Sequence, residues 1–161
     1  MNLLSFHSTS ADTTFRLGEK IGRELQGGEI FALVGELGSG KTVFSKGLAA
    51  GLDVKDIVTS PTFLLVRSYN GRLPFHHFDF YRLQTPQDLD SFGFYEYFDS
   101  TCVCAMEWAD RFFTFLPQPY LEVRFAQSGE YDRHISLSFT GNSETTEYRR
   151  IQSCLSAIHP Q

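Results

Sequence analysis

The chain has 161 residues, of which 42% are hydrophobic and 20% charged, values close to the averages for soluble globular proteins, which excludes disordered and fibrous classes. Its length fits one domain, so we expect residues 1–161 to form a single domain with its own core. The 14 basic and 19 acidic residues give a net charge of −5. This charge argues against a chain that holds DNA or RNA by itself, because phosphate neutralisation supplies most of that affinity.

The apolar runs and the cysteines favour a cytoplasmic protein with no contact with a membrane. The longest uninterrupted apolar run, Ile30–Val34, is too short to span a bilayer, and the first residues lack the basic start and long apolar stretch of a signal peptide. The three cysteines, Cys102, Cys104 and Cys154, are an odd number without framework spacing, which fits a reducing compartment. Cys102 and Cys104 could be metal ligands, but two residues apart in an apolar run they are better interpreted as buried strand residues.

Helical and strand patterns alternate in the first half of the chain. Ser10 is a suitable N-cap for the first helix, and Asn70-Gly71 is the strongest hairpin-turn dipeptide in the sequence. The predicted elements are a helix over 11–26, a buried strand over 30–34, a helix over 42–50, a strand over 63–66 and an antiparallel strand over 73–80.

The second half continues the alternation and ends in a helix. The hydrophobic pattern predicts a helical stretch over 86–98, a buried strand over 102–106, a hairpin of strands over 120–125 and 134–139, and a helix over 144–158. Interleaved helices and strands indicate an α/β fold. Because the chain contains two hairpins, we expect a central sheet that mixes parallel and antiparallel strands and is flanked by helices.

A phosphate-binding loop is the strongest chemical signal. The segment 35–42 satisfies the pattern G-x-x-x-x-G-K-[ST] at each specified position, and an apolar strand leads into it while a helix follows it. Glycines let backbone N–H groups turn towards a phosphate, a lysine bridges β- and γ-phosphates, and a threonine hydroxyl is a ligand for Mg²⁺. The predicted fold is therefore a P-loop NTPase domain. Its candidate nucleotide-binding residues are Gly35, Glu36, Leu37, Gly38, Ser39, Gly40, Lys41, Thr42 and Val43.

Two acidic residues are candidates for the metal and for the attacking water. Asp79 lies at the end of one predicted strand and Glu107 directly follows another, at the carboxyl edge where open α/β sheets place their ligands. Either could hold Mg²⁺, and the other could orient or deprotonate the attacking water. With Lys41 and Thr42, they form the predicted catalytic and metal-binding set.

Further polar residues lie near these acids in the sequence. Thr59, Ser60 and Thr62 form a loop that either senses a γ-phosphate or is a Ser-Pro turn with local capping. His76 and His77 are on opposite faces of one strand, so they cannot share a metal, and we expect one of them near the site. Charge-stabilising roles are open to four arginines, of which Arg82 is best placed, three residues after Asp79: Arg67, Arg72, Arg82 and Arg111.

Five motifs in this order resemble the TsaE (YjeE) family, and the resemblance covers about residues 17–119. The phosphate loop is common to many families, whereas the combination of the other four is specific. The motifs are Gly35-Glu-Leu-Gly-Ser-Gly-Lys-Thr42, Ser60-Pro-Thr-Phe63, His77-Phe-Asp-Phe-Tyr-Arg-Leu83, Gly93-Phe-Tyr-Glu-Tyr-Phe98 and Met106-Glu-Trp-Ala109. Met106 departs from the more usual aliphatic residue at its position.

The resemblance implies a slow, magnesium-dependent ATPase of the machinery that makes N6-threonylcarbamoyladenosine at position 37 of tRNA. Its implied partners are the TsaB–TsaD heterodimer and, through that complex, tRNA. It further implies that Glu107 and Asp79 act at the metal, that Trp108 lies beside the metal-binding acid, and that the adenine approaches residues 9–11.

Two alternatives use the same loop. A small-molecule kinase could use Asp79 as a base and Arg82 as an acceptor clamp, although no arginine-rich lid segment is visible between residues 88 and 115. A GTPase-like switch is disfavoured, because the sequence contains no Asn-Lys-x-Asp guanine-reading motif.

Overall fold

A computed structural model of the chain describes residues 2–142 and 146–156. Its strands are β1 (Asn2–Ser8), β2 (Ile30–Gly35), β3 (Val66–Tyr69), β4 (Phe75–Asp79), β5 (Val103–Glu107), β6 (Tyr120–Gln127) and β7 (Arg133–Thr140), and its helices are α1 (Ala11–Glu24), α2 (Lys41–Gly51), α3 (Gln87–Ser91) and α4 (Thr146–Ser156). Short 3₁₀ helices cover Phe94–Tyr97 and Ala109–Phe115.

The strands form one mixed sheet in the order β1-β7-β6-β2-β5-β4-β3. β2 runs parallel to β5 and β6, and β5 runs parallel to β4. The two predicted hairpins supply antiparallel pairs, β3 with β4 and β6 with β7, and β1 adds to β7 antiparallel. The prediction of an α/β fold with a mixed sheet is confirmed.

Alternating side chains of the central strands enter two cores, one on each face of the sheet. On the first face α1, α2 and α4 pack over residues such as Phe31, Leu33 and Val103. On the second face the 3₁₀ segments and α3 pack over Ala32 and Met106. Because side chains alternate along a strand, the odd-numbered residues of β4 and β5 lie on the face that carries α2. Asp79 and Glu107, which end β4 and β5, therefore both lie on the face that carries α2.

The two helices beside the glycine-rich loop begin in different ways. The Ser10 side chain accepts a hydrogen bond from the Thr13 amide, as predicted for the N-cap of α1. The N-cap of α2 is Gly40, which has no side chain to satisfy the first amides. The amino end of α2 is therefore free of a side-chain cap, which suits an anion.

The prediction of a strand over 63–66 is wrong. The Pro61 carbonyl accepts hydrogen bonds from the amides of Leu64 and Leu65, and Leu65 has a left-handed φ of 68°. This turn curls residues 61–65, exposes Phe63 and delays the strand to Val66.

Other predicted boundaries shift, and one strand was missed. The stretch predicted as helical over 86–98 divides into α3 and a 3₁₀ helix at Gly93, where φ is 73°. Strand β1 was not predicted, although Leu4 and Phe6 alternate and pack against the first core. The last helix forms over 146–156, and the ends predicted at 144–145 and 157–158 lie outside the described residues.

The prediction that Cys102 and Cys104 are buried is confirmed, although Cys104 lies within β5 and Cys102 lies immediately before it. Cys102 and Cys104 are buried and free, with their sulfur atoms 3.9 Å apart. Within residues 2–142 and 146–156, no helix is long and apolar enough to cross a membrane.

Candidate functional site

The glycine-rich loop joins β2 to α2 at the carboxyl edge of the parallel strands. Gly38 and Gly40 have φ values of 76° and 110°, which L-residues with a side chain rarely adopt. A side chain at Gly35 would lie 2.5 Å from the Ser39 hydroxyl. The loop therefore needs its glycines, both for backbone conformation and for close approach.

Lys41 is held inside this loop. Its Nζ donates to the carbonyl oxygens of Gly35 at 2.6 Å and Glu36 at 2.9 Å, and lies 3.5 Å from the Ser39 hydroxyl. The same ammonium lies 4.0 Å from the centroid of the Trp108 ring, a cation–π distance. Burial lowers the pKa of Lys41 from its ordinary value, although the nearby carboxylates oppose that shift.

Thr42, the next residue, contacts the acid that ends β5. Its hydroxyl lies 2.9 and 3.0 Å from the two carboxylate oxygens of Glu107. Glu107 also accepts a hydrogen bond from Nε2 of His77 at 2.7 Å, and both of those side chains are buried. The carboxylate is thus fixed on one side by a hydroxyl and on the other by an imidazole.

Asp79 lies beside Glu107 in the sheet, because the two residues are register partners of β4 and β5. Its Oδ2 accepts hydrogen bonds from the hydroxyls of Ser60 at 3.1 Å and Thr62 at 2.8 Å. Its Oδ1 accepts from the Tyr81 amide at 2.9 Å. Two hydrogen bonds therefore hold the loop that carries Ser60 and Thr62 against Asp79.

A cavity of about 490 Å³ opens between these groups. It is lined by Leu37, Gly38, Ser39, Gly40, Lys41, Thr42, Val43, Ser60, Thr62, Asp79, Tyr81, Glu107 and Trp108. Two further loop residues, Gly35 and Glu36, contribute their carbonyls to Lys41 and do not line the cavity. Thr59 does not line it either, and its amide donates to the Tyr69 hydroxyl at 3.4 Å.

The donor set at this cavity fits Mg²⁺. A threonine hydroxyl and two carboxylates are oxygen ligands of the kind this ion prefers. Among the described residues no group of three or more His, Cys, Asp or Glu is arranged to hold a metal. Magnesium commonly takes one or two carboxylates and completes its shell with water and phosphate oxygens, so Thr42 and Glu107, with Asp79 beside them, suit it.

Several polar residues singled out in the sequence lie away from the cavity lining. The Arg82 guanidinium carbon is 4.1 Å from the centroid of the exposed Phe63 ring. Arg72 donates to carbonyls at the end of α1, and Arg111 donates to the carbonyls of the loop after β4. Arg67 is exposed on β3. Of these four arginines, none lines the cavity.

The two histidines face opposite sides of β4. His76 contacts the Ser68 hydroxyl at 2.7 Å and packs on Tyr97, and burial lowers its pKa. His77 contacts Glu107 through Nε2, and the sequence did not predict this particular contact. The signal was available, because residues 77 and 79 share a face of the strand.

A smaller cavity of about 130 Å³ adjoins the first one. It shares Gly38, Ser39, Gly40 and Val43 with the larger cavity, and its lining adds Tyr131 and Arg133. Ser10, Ala11 and Thr14 at the start of α1 also line it. Tyr131 was missed in the sequence, where nothing connects the β6–β7 turn with the phosphate loop.

A strand, a glycine-rich loop and a helix at the carboxyl edge of a mixed sheet define an α/β protein of the P-loop NTPase fold. The sequence model of the family described as "Threonylcarbamoyl adenosine biosynthesis protein TsaE" matches residues 8–135. The chain therefore belongs to the TsaE family.

Individual relatives agree with that assignment. The protein named "tRNA threonylcarbamoyladenosine biosynthesis protein TsaE" from Treponema pallidum (strain Nichols) is 39% identical over 131 residues, which are 81% of this chain and 97% of the relative. The protein of the same name from Bacillus subtilis (strain 168) is 35% identical over 143 residues, 88% and 89% of the two chains. The crystal structure of Bacillus subtilus YdiB superposes with a TM-score of 0.80 at 31% identity, over 96% of this chain and 95% of that one.

Proposed function

We propose that this protein is a magnesium-dependent ATPase that supports formation of N6-threonylcarbamoyladenosine at position 37 of tRNA. The observation that carries the proposal is the convergence of Lys41, Thr42 and Glu107 on one cavity at the amino end of α2. Membership of the TsaE family supports the tRNA-modification role over a small-molecule kinase.

In the proposed site the loop amides and Lys41 bind the phosphates of ATP. Nucleotide phosphates would replace the carbonyl groups that Lys41 now contacts as its hydrogen-bond acceptors. Thr42 and Glu107 hold Mg²⁺, which when bound neutralises charge on the phosphate oxygens. Asp79 orients the attacking water together with the hydroxyls of the loop that contacts it.

The adenine is proposed to occupy the smaller cavity. Ser10 and Ala11 at the start of α1 line that cavity beside the phosphate loop, and Tyr131 offers an exposed ring. Aromatic faces stack on nucleobases without reading hydrogen bonds. This placement would set the triphosphate along Gly38–Gly40 towards Lys41.

The net charge of −5 supports a protein that reaches tRNA through partners in the cytoplasm. We propose the TsaB–TsaD heterodimer as that partner, with ATP binding and hydrolysis resetting the transferase between turnovers. In this scheme the partner complex binds the tRNA, and the present chain binds and hydrolyses ATP.

A reconstituted reaction tests the proposal. Purified chain, TsaB–TsaD, tRNA, an activated threonylcarbamoyl donor and MgATP should give multiple-turnover modification, and Lys41→Ala should reduce it to the level reached without the chain. Arg67→Ala, on exposed β3 and outside the cavity, is the matched control. Undiminished multiple-turnover modification with Lys41→Ala would end the proposal.

A further inference from the structure

His77 is buried on β4 in contact with the acid that ends the neighbouring strand. Its Nε2 lies 2.7 Å from Oε2 of Glu107, and its side chain has no exposed surface. His77 and Ala105 are register partners, as are Asp79 and Glu107, so the contact is diagonal across two strands. A long side chain on the same face can span that diagonal.

The hydrogen bond also identifies which ring nitrogen carries hydrogen. A carboxylate only accepts hydrogen bonds, so Nε2 carries a hydrogen. The other ring nitrogen, Nδ1, is buried and has no hydrogen-bond partner among residues 2–142 and 146–156. The ring packs instead on Phe75, with centroids 6.0 Å apart and planes 18° apart.

An unpartnered buried nitrogen lowers stability, and an apolar residue at this position would avoid that loss. The polar ring makes one hydrogen bond, and that bond is directed at Glu107. Without it the carboxylate would keep only the Thr42 hydroxyl as a side-chain partner in the described structure. The stability of β4 therefore does not explain why position 77 holds a histidine, whereas the orientation of the Glu107 carboxylate does.

We propose that His77 is a positioning residue, which turns the Glu107 carboxylate towards the Thr42 hydroxyl and so prepares the magnesium position. The inference rests on the proposed function, because it assigns Mg²⁺ to Thr42 and Glu107. His77 does not line the cavity, so it acts through the carboxylate and does not touch nucleotide. The relation is that of an outer-shell hydrogen bond that fixes a metal-binding side chain.

Calorimetric titration of ADP with Mg²⁺ and with EDTA tests the role without any turnover. His77→Leu removes the donor, whereas His77→Gln places an amide N–H at nearly the same reach. We expect His77→Leu to bind ADP in EDTA within about twofold of wild type and to lose at least about fivefold of the gain that Mg²⁺ gives. His77→Gln should recover most of that gain. Outer-shell partners typically contribute about 10- to 100-fold to metal affinity, so a loss of about fivefold is the minimum that the positioning role requires.

His76→Leu is the matched control, because this neighbour points to the other face and contacts Ser68. Thermal unfolding checks that each variant is folded. A folded His77→Leu chain that retains the full Mg²⁺ gain would overturn the positioning role. Failure of the wild-type chain to bind Mg²⁺-ADP would instead overturn the proposed function.

A measurement on the wild-type chain makes the test independent of any variant. Nitrogen NMR of the His77 ring should show hydrogen on Nε2, both before and after addition of Mg²⁺ and ADP. Hydrogen on Nδ1 alone would leave no donor for Glu107 and would overturn the proposal even if both His77 variants failed to fold.

Discussion

The Trp108 ring lies over the Lys41 ammonium, and Trp108 reaches it from a left-handed backbone conformation with φ 60° and ψ 37°. For a bulky residue that conformation costs about 1–2 kcal/mol. The turn it makes directly after β5 brings the indole back over the phosphate loop. The Tyr81 ring also packs against the Trp108 ring, with the two ring centroids 5.1 Å apart.

A double-mutant cycle between Lys41 and Trp108 should measure this contact. Trp108→Ala should lower the free energy of unfolding more in the wild-type chain than in Lys41→Met, by about 0.5–2 kcal/mol, the size of a partly desolvated cation–π contact. Urea unfolding gives the four values. Trp108→Phe, which keeps an aromatic face, should retain part of the coupling. Equal losses in the two backgrounds would show that the ring does not stabilise the ammonium.

The lowered pKa of Lys41 predicts a pH dependence of stability. Burial lowers its pKa in the folded chain below the ordinary 10.5. Between the lowered pKa and 10.5 the unfolded chain binds more protons than the folded chain, so the contribution of Lys41 to stability rises with pH in that window. The contribution is constant at pH values well below the folded pKa.

Comparison with Lys41→Met isolates this effect from the tyrosines and cysteines. The difference in unfolding free energy, wild type minus Lys41→Met, should become more favourable to wild type as the pH rises from neutral towards the ordinary lysine pKa of 10.5. Urea unfolding at each pH supplies the values. A difference that falls over this range would contradict the direction assigned to the pKa.

The hydroxyl of Thr42, and not the shape of its side chain, should determine how much Mg²⁺ increases the affinity for ATP. Thr42→Ala removes the group that contacts both oxygens of Glu107, so the gain in ATP affinity from Mg²⁺ should fall by about tenfold or more, equivalent to about 1.4 kcal/mol. Thr42→Ser keeps the hydroxyl and should remain within about threefold of wild type. Titrations with and without Mg²⁺ measure both. Val43→Ala, which alters the lining without changing a ligand oxygen, is the control.

The phosphate loop could be predicted from the sequence because its chemistry is local. Its glycines, Lys41 and Thr42 all lie within residues 35–42, and the strand and helix on either side are short-range patterns. The pairing of Asp79 with Glu107 was harder, since it depends on β4 and β5 being parallel neighbours in a particular register. The sequence shows that each acid ends a strand, but the register that makes them partners forms only in the sheet.

The arginines show a second limit. Arg72 was one of four candidates for charge stabilisation, yet it serves the end of α1. A guanidinium can reach a phosphate or a helix carbonyl with equal ease, and the sequence does not distinguish the two acceptors. The hairpin at Asn70-Gly71 decides which acceptor is reached, because it brings the chain to the carboxyl end of α2, where the Arg72 amide donates to the carbonyl oxygen of Leu52, the C-cap residue. Since α2 packs closely on α1, the guanidinium then meets the carbonyls at the end of α1.

Arg72 should therefore affect stability and leave nucleotide binding unchanged. Its guanidinium donates to the carbonyls of Leu25 at 2.7 Å and Gly22 at 2.8 Å. Arg72→Ala should lower the free energy of unfolding by about 1 kcal/mol, after allowance for its exposure to solvent. Arg72→Lys should recover little, because an ammonium cannot span two carbonyls as the planar fork does. Thermal unfolding and ADP titration are the measurements, and a large loss of ADP affinity would contradict the capping role.

Helices α1 and α2 approach so closely that one glycine should reverse the usual effect of alanine. In an exposed helix, Gly→Ala stabilises by about 1 kcal/mol. At Gly47, however, an added Cβ would lie 2.2 Å from the Phe15 carbonyl oxygen and 3.0 Å from the Glu19 amide nitrogen. Both are backbone atoms of α1, so relief requires movement of a whole helix.

Gly47→Ala should accordingly lower the free energy of unfolding by about 3 kcal/mol, the upper part of the range for overpacking a core. Lys46→Ala, at the exposed neighbouring position of α2, should change it by less than about 0.5 kcal/mol. Urea unfolding compares the two. Since α2 carries Lys41 and Thr42 at its amino end, the helix shift in Gly47→Ala should also weaken ADP binding, whereas Lys46→Ala should not. A stabilised Gly47→Ala chain would mean that the helices can separate without loss, and that the position of the phosphate loop does not depend on their contact.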